Sequence, residues 1–169
     1  MTKIEHEIDD RLFRNAMGSF ATGVTVITTE VEKKVHGMTA NAFMSISLNP
    51  KLVAISIDEK AKMLEYIRTT NKFAVNILSA DQKEVSMQFA GQIKKEREMT
   101  FLSYKGLPTI ENSLAVVTCE VQSEIVVGDH TVFIGHVTGV QLKESDPLLF
   151  SKGKYRELEE LQELEELKK

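Results

Sequence analysis

The segment 36–48 carries two kinds of side chain in alternation, and it is the part of the sequence best suited to bind a small molecule. Odd positions carry hydroxyls, one amide and one phenyl ring, but no charge: Thr39, Asn41, Phe43, Ser45 and Ser47. Even positions are apolar: Met38, Ala40, Ala42, Met44, Ile46 and Leu48. Wherever the chain is extended, the two sets point to opposite faces, because side chains of a strand alternate with a period of two.

This uncharged polar set favours a ligand pocket over an ordinary solvent-facing surface. A strand face in water would carry lysine and glutamate, which occur freely elsewhere in the chain. Uncharged donors and acceptors can satisfy the heteroatoms of a ligand, or the oxygens of a phosphate, without the cost of burying unpaired ions. An edge strand or a Ser/Thr-rich subunit interface would give the same pattern, and these alternatives stay open.

His130 is the second candidate for chemistry, because it follows Gly128 and Asp129 at a predicted turn. Glycine lets the backbone turn there, so the imidazole can reach into a cleft as a hydrogen-bonding or stacking group. The alternative is a turn histidine that is simply exposed to solvent.

The remaining histidines and the cysteine have structural interpretations. His130 and His136 share a strand face, but six residues separate them, roughly 20 Å in an extended chain, so they cannot bind one metal ion. His36 and His136 are expected to be structural, and His6 to lie in a flexible terminus. Cys119 alternates with valines along a predicted strand, which indicates a buried core thiol and not a nucleophile. No metal site is predicted.

Two common nucleotide-binding motifs are absent from the sequence. No Gly-x-Gly-x-x-Gly follows a predicted strand, and no Gly-x-x-x-x-Gly-Lys occurs. Because the first motif builds a Rossmann dinucleotide site and the second a phosphate-binding P-loop, neither fold is expected.

Length and composition fit one globular domain. The chain has 169 residues, of which 42% are apolar and 27% charged, so it can bury a core. The net charge of −4 comes mostly from residues 155–169, and no basic cluster that could bind nucleic acid occurs. The longest stretch without Asp, Glu, Lys or Arg, 35–50, is shorter than the roughly 18 apolar residues of a membrane span. One cysteine and a charged N-terminus predict a cytoplasmic protein.

Local patterns predict a mainly β protein with short helices. An amphipathic helix is expected after Asp9 and Asp10, another over 62–70, and a third that begins at a capping box of Asp81 and Glu84 and stops at Gly91. Strands are expected over 23–29, from 35, and over 52–57, 73–78, 114–127 and 131–142, with a charged loop at 94–98. These elements indicate a small antiparallel barrel in one domain, 1–154. An acidic helix or tail with leucines at a period of three follows over 155–169.

Four motifs, in order along the chain, resemble the flavin reductase-like family. They are FRNAMGSFATGVTVITT at 13–29, GMTANAFMSISLNP at 37–50, FAVNIL at 73–78 and GDHTVFIG at 128–135. The resemblance runs over about residues 12–156. It implies a split Greek-key β-barrel of the FMN-binding type that forms a homodimer. It also implies an oxidoreductase that passes hydride from NADH or NADPH to FMN or FAD and supplies reduced flavin to a separate oxygenase.

The resemblance also implies roles for individual residues. Flavin would be bound at its ring by Thr39, Ala40 and Asn41, largely through backbone groups, and at its ribityl and phosphate end by Ser45, Ser47, Ser56 and Lys62. Three more residues would border the flavin: Phe89, Ala90 and Gly91. The nicotinamide side would be formed by Gly128, Asp129, His130 and Tyr155, with His130 as the catalytic candidate.

The chain departs from the family pattern at the phosphate end, where Lys51 replaces a second proline and residues 61–63 lack a Ser-x-Thr pattern. Two other functions stay open: a flavin-binding electron carrier without catalysis, and a barrel whose Ser/Thr face is only an interface. FMN or FAD, and NADH or NADPH, are not distinguished by the residue types.

Overall fold

The computed structural model describes residues 8–93 and 99–159, and strands dominate this part of the chain. It contains three α-helices, α1 (Asp10–Gly18), α2 (Lys62–Thr70) and α3 (Lys83–Phe89), with a 3₁₀ turn at Ala80–Gln82. The strands are β1 (Thr22–Gly23), β2 (Thr25–Val31), β3 (Lys34–Ala40), β4 (Phe43–Leu48), β5 (Lys51–Asp58), β6 (Lys72–Ile77), β7 (Phe101–Tyr104), β8 (Leu107–Ile110), β9 (Ala115–Val127), β10 (His130–Leu142), β11 (Leu149–Ser151) and β12 (Lys154–Arg156). The predicted mainly β fold with short helices is confirmed.

Seven strands form one antiparallel sheet in the order β3-β2-β6-β9-β10-β5-β4. Its edge strands, β3 and β4, are consecutive in the chain, and Asn41 and Ala42 alone join them. The sheet therefore curls until its two edges come near each other, which gives the predicted split barrel. Two smaller sheets, β1-β11-β12 and β7-β8, accompany it.

Helix α2 packs its apolar face into the main core. Met63, Leu64 and Ile67 are buried there against strand residues that include Phe73 and Phe133. Each such side chain stabilises the fold by about 1.5–3 kcal/mol when fully buried. The helix ends as predicted, because the next residue adopts a left-handed conformation and its amide bonds back to the Ile67 carbonyl at 2.8 Å.

A second core lies between α3 and the C-terminal strands. Its buried members are Val24, Val26, Leu78, Ile110 and Leu148. Aromatic side chains cover it, among them Phe89, Phe101, Phe150 and Tyr155. This core fixes α3 and β12 on the outside of β3, so it determines what surrounds the 36–48 segment.

The alternation in segment 36–48 is interrupted, because the segment forms two strands and not one. In β3 the even residues Met38 and Ala40 pack against the main core, whereas in β4 it is Phe43 that does so. Met44, Ile46 and Leu48 are exposed. The break between the strands and a bulge between Ser45 and Ser47 shift the phase of the alternation.

Other local predictions met mixed outcomes. The long hairpin of β9 and β10 and the cap of α1, where Asp9 accepts from the Leu12 amide at 2.8 Å, are confirmed. The capping box of Asp81 and Glu84 is wrong, because Ser79 and Gln82 form it two residues earlier. Sequence reasoning missed β7, β8, β11 and β12. The predicted loop at 94–98, His6 and most of the acidic tail, from residue 160, lie outside the described residues.

Cys119 is fully buried in β9, and burial raises the pKa of its thiol to about 12. With a pKa that high the thiol stays protonated at about pH 8, and its burial also keeps the reagent away from it. We therefore expect native protein to remain unlabelled by iodoacetamide at that pH, whereas denatured protein takes up a single label, measured by intact mass. Labelling of the native protein at the rate of a free cysteine would contradict the buried position.

Candidate functional site

A cavity of about 630 Å³ opens at the break between β3 and β4. Residues 20–23, 41–44 and 54–56 line it, together with Thr25, Ile77 and Val132. None of these lining residues is ionisable, and the polar ones are threonines, Asn41 and Ser56. Its volume is typical of small-molecule sites, and apolar walls with few polar groups suit a flat aromatic ligand.

Thr22, one of the lining residues, carries a polar atom that is unpaired within the described part of the chain. Its hydroxyl is buried and, in the described residues, lacks a hydrogen-bond partner. Buried hydroxyls are almost always paired, so this group is suited to bonding a ligand atom. Sequence reasoning did not select Thr22, since a threonine beside a β-branched run has no distinguishing pattern.

Ser56 and His130 share one face of the sheet. In the β5–β10 ladder Ser56 pairs with Val132, and Asp58 pairs with His130. Residues two apart on a strand point to the same side, so His130 lies on the cavity face two residue pairs beyond Val132. The structure thus brings His130 towards the cavity that Asn41 and Ser56 line.

The turn before β10 orients the His130 ring. Its Nδ1 lies 2.8 Å from Asp129 Oδ1, and this hydrogen bond lowers the pKa of Asp129. An ionised carboxylate only accepts, so Nδ1 carries the proton and Nε2 remains for another partner. The Asp129 carbonyl accepts from the Glu59 amide at 3.0 Å, and Gly128 has a positive φ of 64° that favours glycine.

A second group of predicted residues surrounds α3. Thr39 Oγ1 donates to the Ser86 carbonyl at 2.7 Å, so its side chain points away from any ligand on the opposite face. The Tyr155 hydroxyl lies 2.9 Å from Ser86 Oγ. Phe89 packs its ring over Gly37, where an added Cβ would come within 2.5 Å of it. Ala90 and Gly91 follow at the end of α3, and both are exposed.

Lys62 lies in a different cavity, of about 340 Å³, with Lys34, His36 and Tyr66. The His36 and Tyr66 rings stack with centroids 3.8 Å apart. Burial, and then the charge of Lys34, lower the pKa of His36. Ser45 and Ser47 lie on β4 and line neither of these two cavities. The predicted phosphate end is therefore divided among three places.

Two absences hold for the residues described. They contain no group of three or more His, Cys, Asp or Glu side chains placed to hold a metal ion. None of their helices is both long and apolar enough to span a bilayer.

The split barrel and the uncharged cavity at the break between its edge strands are typical of a β-barrel that binds a small molecule. Residues 17–159 match the family model described as a flavin reductase like domain, and this chain belongs to that family. The cavity fits the flavin that the family implies, because its volume, its apolar walls and the unpartnered Thr22 hydroxyl suit a flat ring with polar edges.

Curated relatives and solved structures agree with this assignment. The chain is 41% identical over 166 residues to an NADH-dependent flavin reductase of Rhodococcus sp., covering 94% of each chain. It is 37% identical over 147 residues to the reductase component of 4-hydroxyphenylacetate 3-monooxygenase from Thermus thermophilus, covering 86% of this chain and 95% of that one. The structure of flavin reductase PheA2 has 62% identity and a TM-score of 0.89, covering 90% of this chain and all of that one.

Proposed function

We propose that this protein is an NAD(P)H-dependent flavin reductase that supplies reduced FMN or FAD to a separate monooxygenase component. The uncharged cavity beside His130 carries the proposal, because the reaction needs a binding site for two flat rings and no nucleophile. Relatives described as NADH-dependent flavin reductases favour NADH over NADPH as the donor. Such a reductase works where NADH is made, so we place it in the cytoplasm.

The chain's own residues would bind and orient the reactants. A flavin held in this cavity would supply the acceptor for a hydride from the nicotinamide ring. Asn41 and Ser56, with backbone groups of Thr39 and Ala40, would hold the flavin, and backbone N–H groups there would stabilise negative charge. The apolar cavity walls would exclude water. His130 would hold the nicotinamide through the ring nitrogen that Asp129 leaves available.

The phosphate end of the flavin would be held by cations. Lys62 and Lys34 line one cavity, whose lining includes no acidic residue. Two ammonium groups that share a cavity repel each other unless an anion lies between them. Ser45 and Ser47 lie on edge strand β4, apart from this cavity, so they are not included in the proposed phosphate end.

NADH oxidation, followed by its absorbance with and without added FMN, tests the proposal. Turnover that requires flavin supports it, and repeating the assay with NADPH and FAD establishes the preferred partners. Yellow protein that binds flavin without oxidising either nucleotide would indicate an electron carrier. Colourless protein that takes up no flavin would indicate a barrel whose Ser/Thr face is only an interface.

We also propose that the protein is a homodimer in which a second copy covers α1. No residue of this helix is buried, and its apolar residues Leu12, Phe13 and Met17 are more than half exposed. Phe20, which is 77% exposed, lines the large cavity as well. An apolar surface this continuous indicates a protein interface, and here the covering chain would border the cavity.

Changing Leu12 and Phe13 together to serine is expected to dissociate the dimer. Apolar anchors at the centre of an interface contribute most of its affinity, so the dissociation constant should rise at least about tenfold. Light scattering coupled to size exclusion, across a dilution series, measures the change. Arg11→Ser is the matched control on the same helix and should leave the dimer intact. A wild-type protein that is monomeric at all concentrations would contradict the interface.

A further inference from the structure

Thr39, Ser86 and Tyr155 form a polar chain that crosses from the C-terminal strands to the end of β3. Thr39 Oγ1 donates to the Ser86 carbonyl at 2.7 Å, and Ser86 Oγ lies 2.9 Å from the Tyr155 hydroxyl. Ser86 is only 1% exposed, so solvent offers it little compensation for a lost partner. The Ser86 carbonyl accepts a second bond, from the Ala90 amide, which keeps it within the ladder of α3.

The Thr39–Ser86–Tyr155 chain adds to the support of the end of β3, where Thr25 Oγ1 also donates to the Ala40 carbonyl at 2.7 Å. β3 is an edge strand, so only β2 pairs with it in the sheet. On the face of its odd residues, α3 holds it at two points: Phe89 fills the space over Gly37, and Ser86 bonds Thr39. Asn41 lies two residues beyond Thr39 along the polypeptide, and it lines the large cavity.

Tyr155 is itself held in place by packing. Its ring meets the Phe150 ring edge-on at 5.3 Å, and Lys83 Nζ lies 5.4 Å from its centroid. The hydroxyl is therefore directed at Ser86 by a rigid aromatic group. In this position Tyr155 supports α3, and through α3 the end of β3.

We infer that Ser86 and Tyr155 are positioning residues for the flavin: they hold the end of β3 where its backbone and Asn41 meet the ring. The inference rests on the proposed function. It also changes the role expected for Tyr155, from a group that closes over the nicotinamide to one that acts through Ser86 and Thr39. Removing any member of the chain then weakens flavin binding and leaves NADH binding unchanged.

Tyr155→Phe and Thr39→Val test this chain with little change of shape, and Ser86→Ala provides a third variant. Each is expected to raise the dissociation constant of FMN about three- to tenfold, the effect of losing one buried hydrogen bond. FMN fluorescence titration without NADH measures this directly. In the coupled assay the KM for FMN should rise by the same factor, while the KM for NADH and the kcat at saturating FMN stay within about twofold.

The double variant of Tyr155→Phe and Thr39→Val distinguishes one chain from two separate contacts. If the chain acts as a unit, the double variant weakens FMN binding no more than the worse single variant, because coupled residues are not additive. Independent contacts would multiply the two effects and overturn the inference.

Thr118→Val is the control for a purely structural loss. Thr118 is fully buried and its hydroxyl lies 3.0 Å from the Thr138 hydroxyl, a pair on β9 and β10 distant in the sheet from β3. This variant should lower the melting temperature and leave FMN affinity unchanged. Wild-type FMN affinity in the Tyr155, Thr39 and Ser86 variants would overturn the positioning role alone. Wild-type protein that binds no flavin would overturn the proposed function and the positioning role together.

Discussion

Ser56→Leu is expected to lower the affinity for flavin about 100-fold. Ser56 lines the large cavity from β5, and its backbone amide donates to the Ala42 carbonyl at 3.1 Å. The leucine keeps that backbone bond but places three additional carbon atoms in the space that a flat ring needs. Isothermal titration with FMN and with FAD measures the loss.

The stability of Ser56→Leu should change little, because its new side chain enters an open cavity and does not overpack a filled core. Ser103→Leu, on the exposed strand β7, is the matched control and should bind flavin like the wild type. Ser56→Ala separates the loss of the hydroxyl from the added bulk of leucine. It removes the hydroxyl alone and is expected to lower flavin affinity about three- to tenfold. Normal flavin affinity in Ser56→Leu would place the flavin outside this cavity.

The sequence predicted the elements whose signals are local. α2 was predicted with its exact bounds because its inward apolar residues, Met63, Leu64 and Ile67, lie within one short stretch of chain. The β9–β10 hairpin was found because two long β-branched runs flank a glycine turn. These features follow from neighbouring residues, so no tertiary contact was needed to recognise them.

The β7–β8 hairpin was missed because its stability comes from distant residues. Pro108 lies inside β8, and a proline normally argues against a strand. Here its carbonyl accepts from Thr28 Oγ1 at 2.6 Å, while the Ile110 amide bonds the buried Asn76 side chain at 2.8 Å. Thr28 and Asn76 belong to β2 and β6, so only the folded sheet brings these partners together.

Only part of the candidate site was predicted, because its residues come together only in the folded sheet. Asn41 and Ser56 were selected through the family resemblance, and the structure places both in one cavity. Thr22 and Phe20 were missed, because a cavity wall built from six strands and their loops leaves no periodic signal in any one of them. Lys62 was selected from its place at the start of α2, but the sequence did not reveal that Lys34 shares its cavity.

His130→Ala is expected to raise the KM for NADH about tenfold while FMN affinity falls less than about threefold. The reason is position: His130 lies two residue pairs beyond the cavity-lining Val132 in the β5–β10 ladder, so its ring can reach a second reactant placed over the first. The Asp129 carboxylate fixes the Nδ1 proton, so Asp129→Asn should raise the same KM by a smaller factor. Initial rates against NADH at saturating FMN measure both effects.

His136→Ala is the control for His130→Ala, since His136 is an exposed histidine of the same strand, opposite Leu52 in the ladder. It should leave both kinetic constants unchanged. If His130→Ala responds to NADH like the wild type, the imidazole plays no part in nucleotide binding. If FMN affinity falls as steeply as NADH affinity, His130 contacts the flavin edge instead. A selective rise in the KM for NADH therefore shows that the cavity is divided, with Asn41 and Ser56 on the flavin side and His130 on the nicotinamide side.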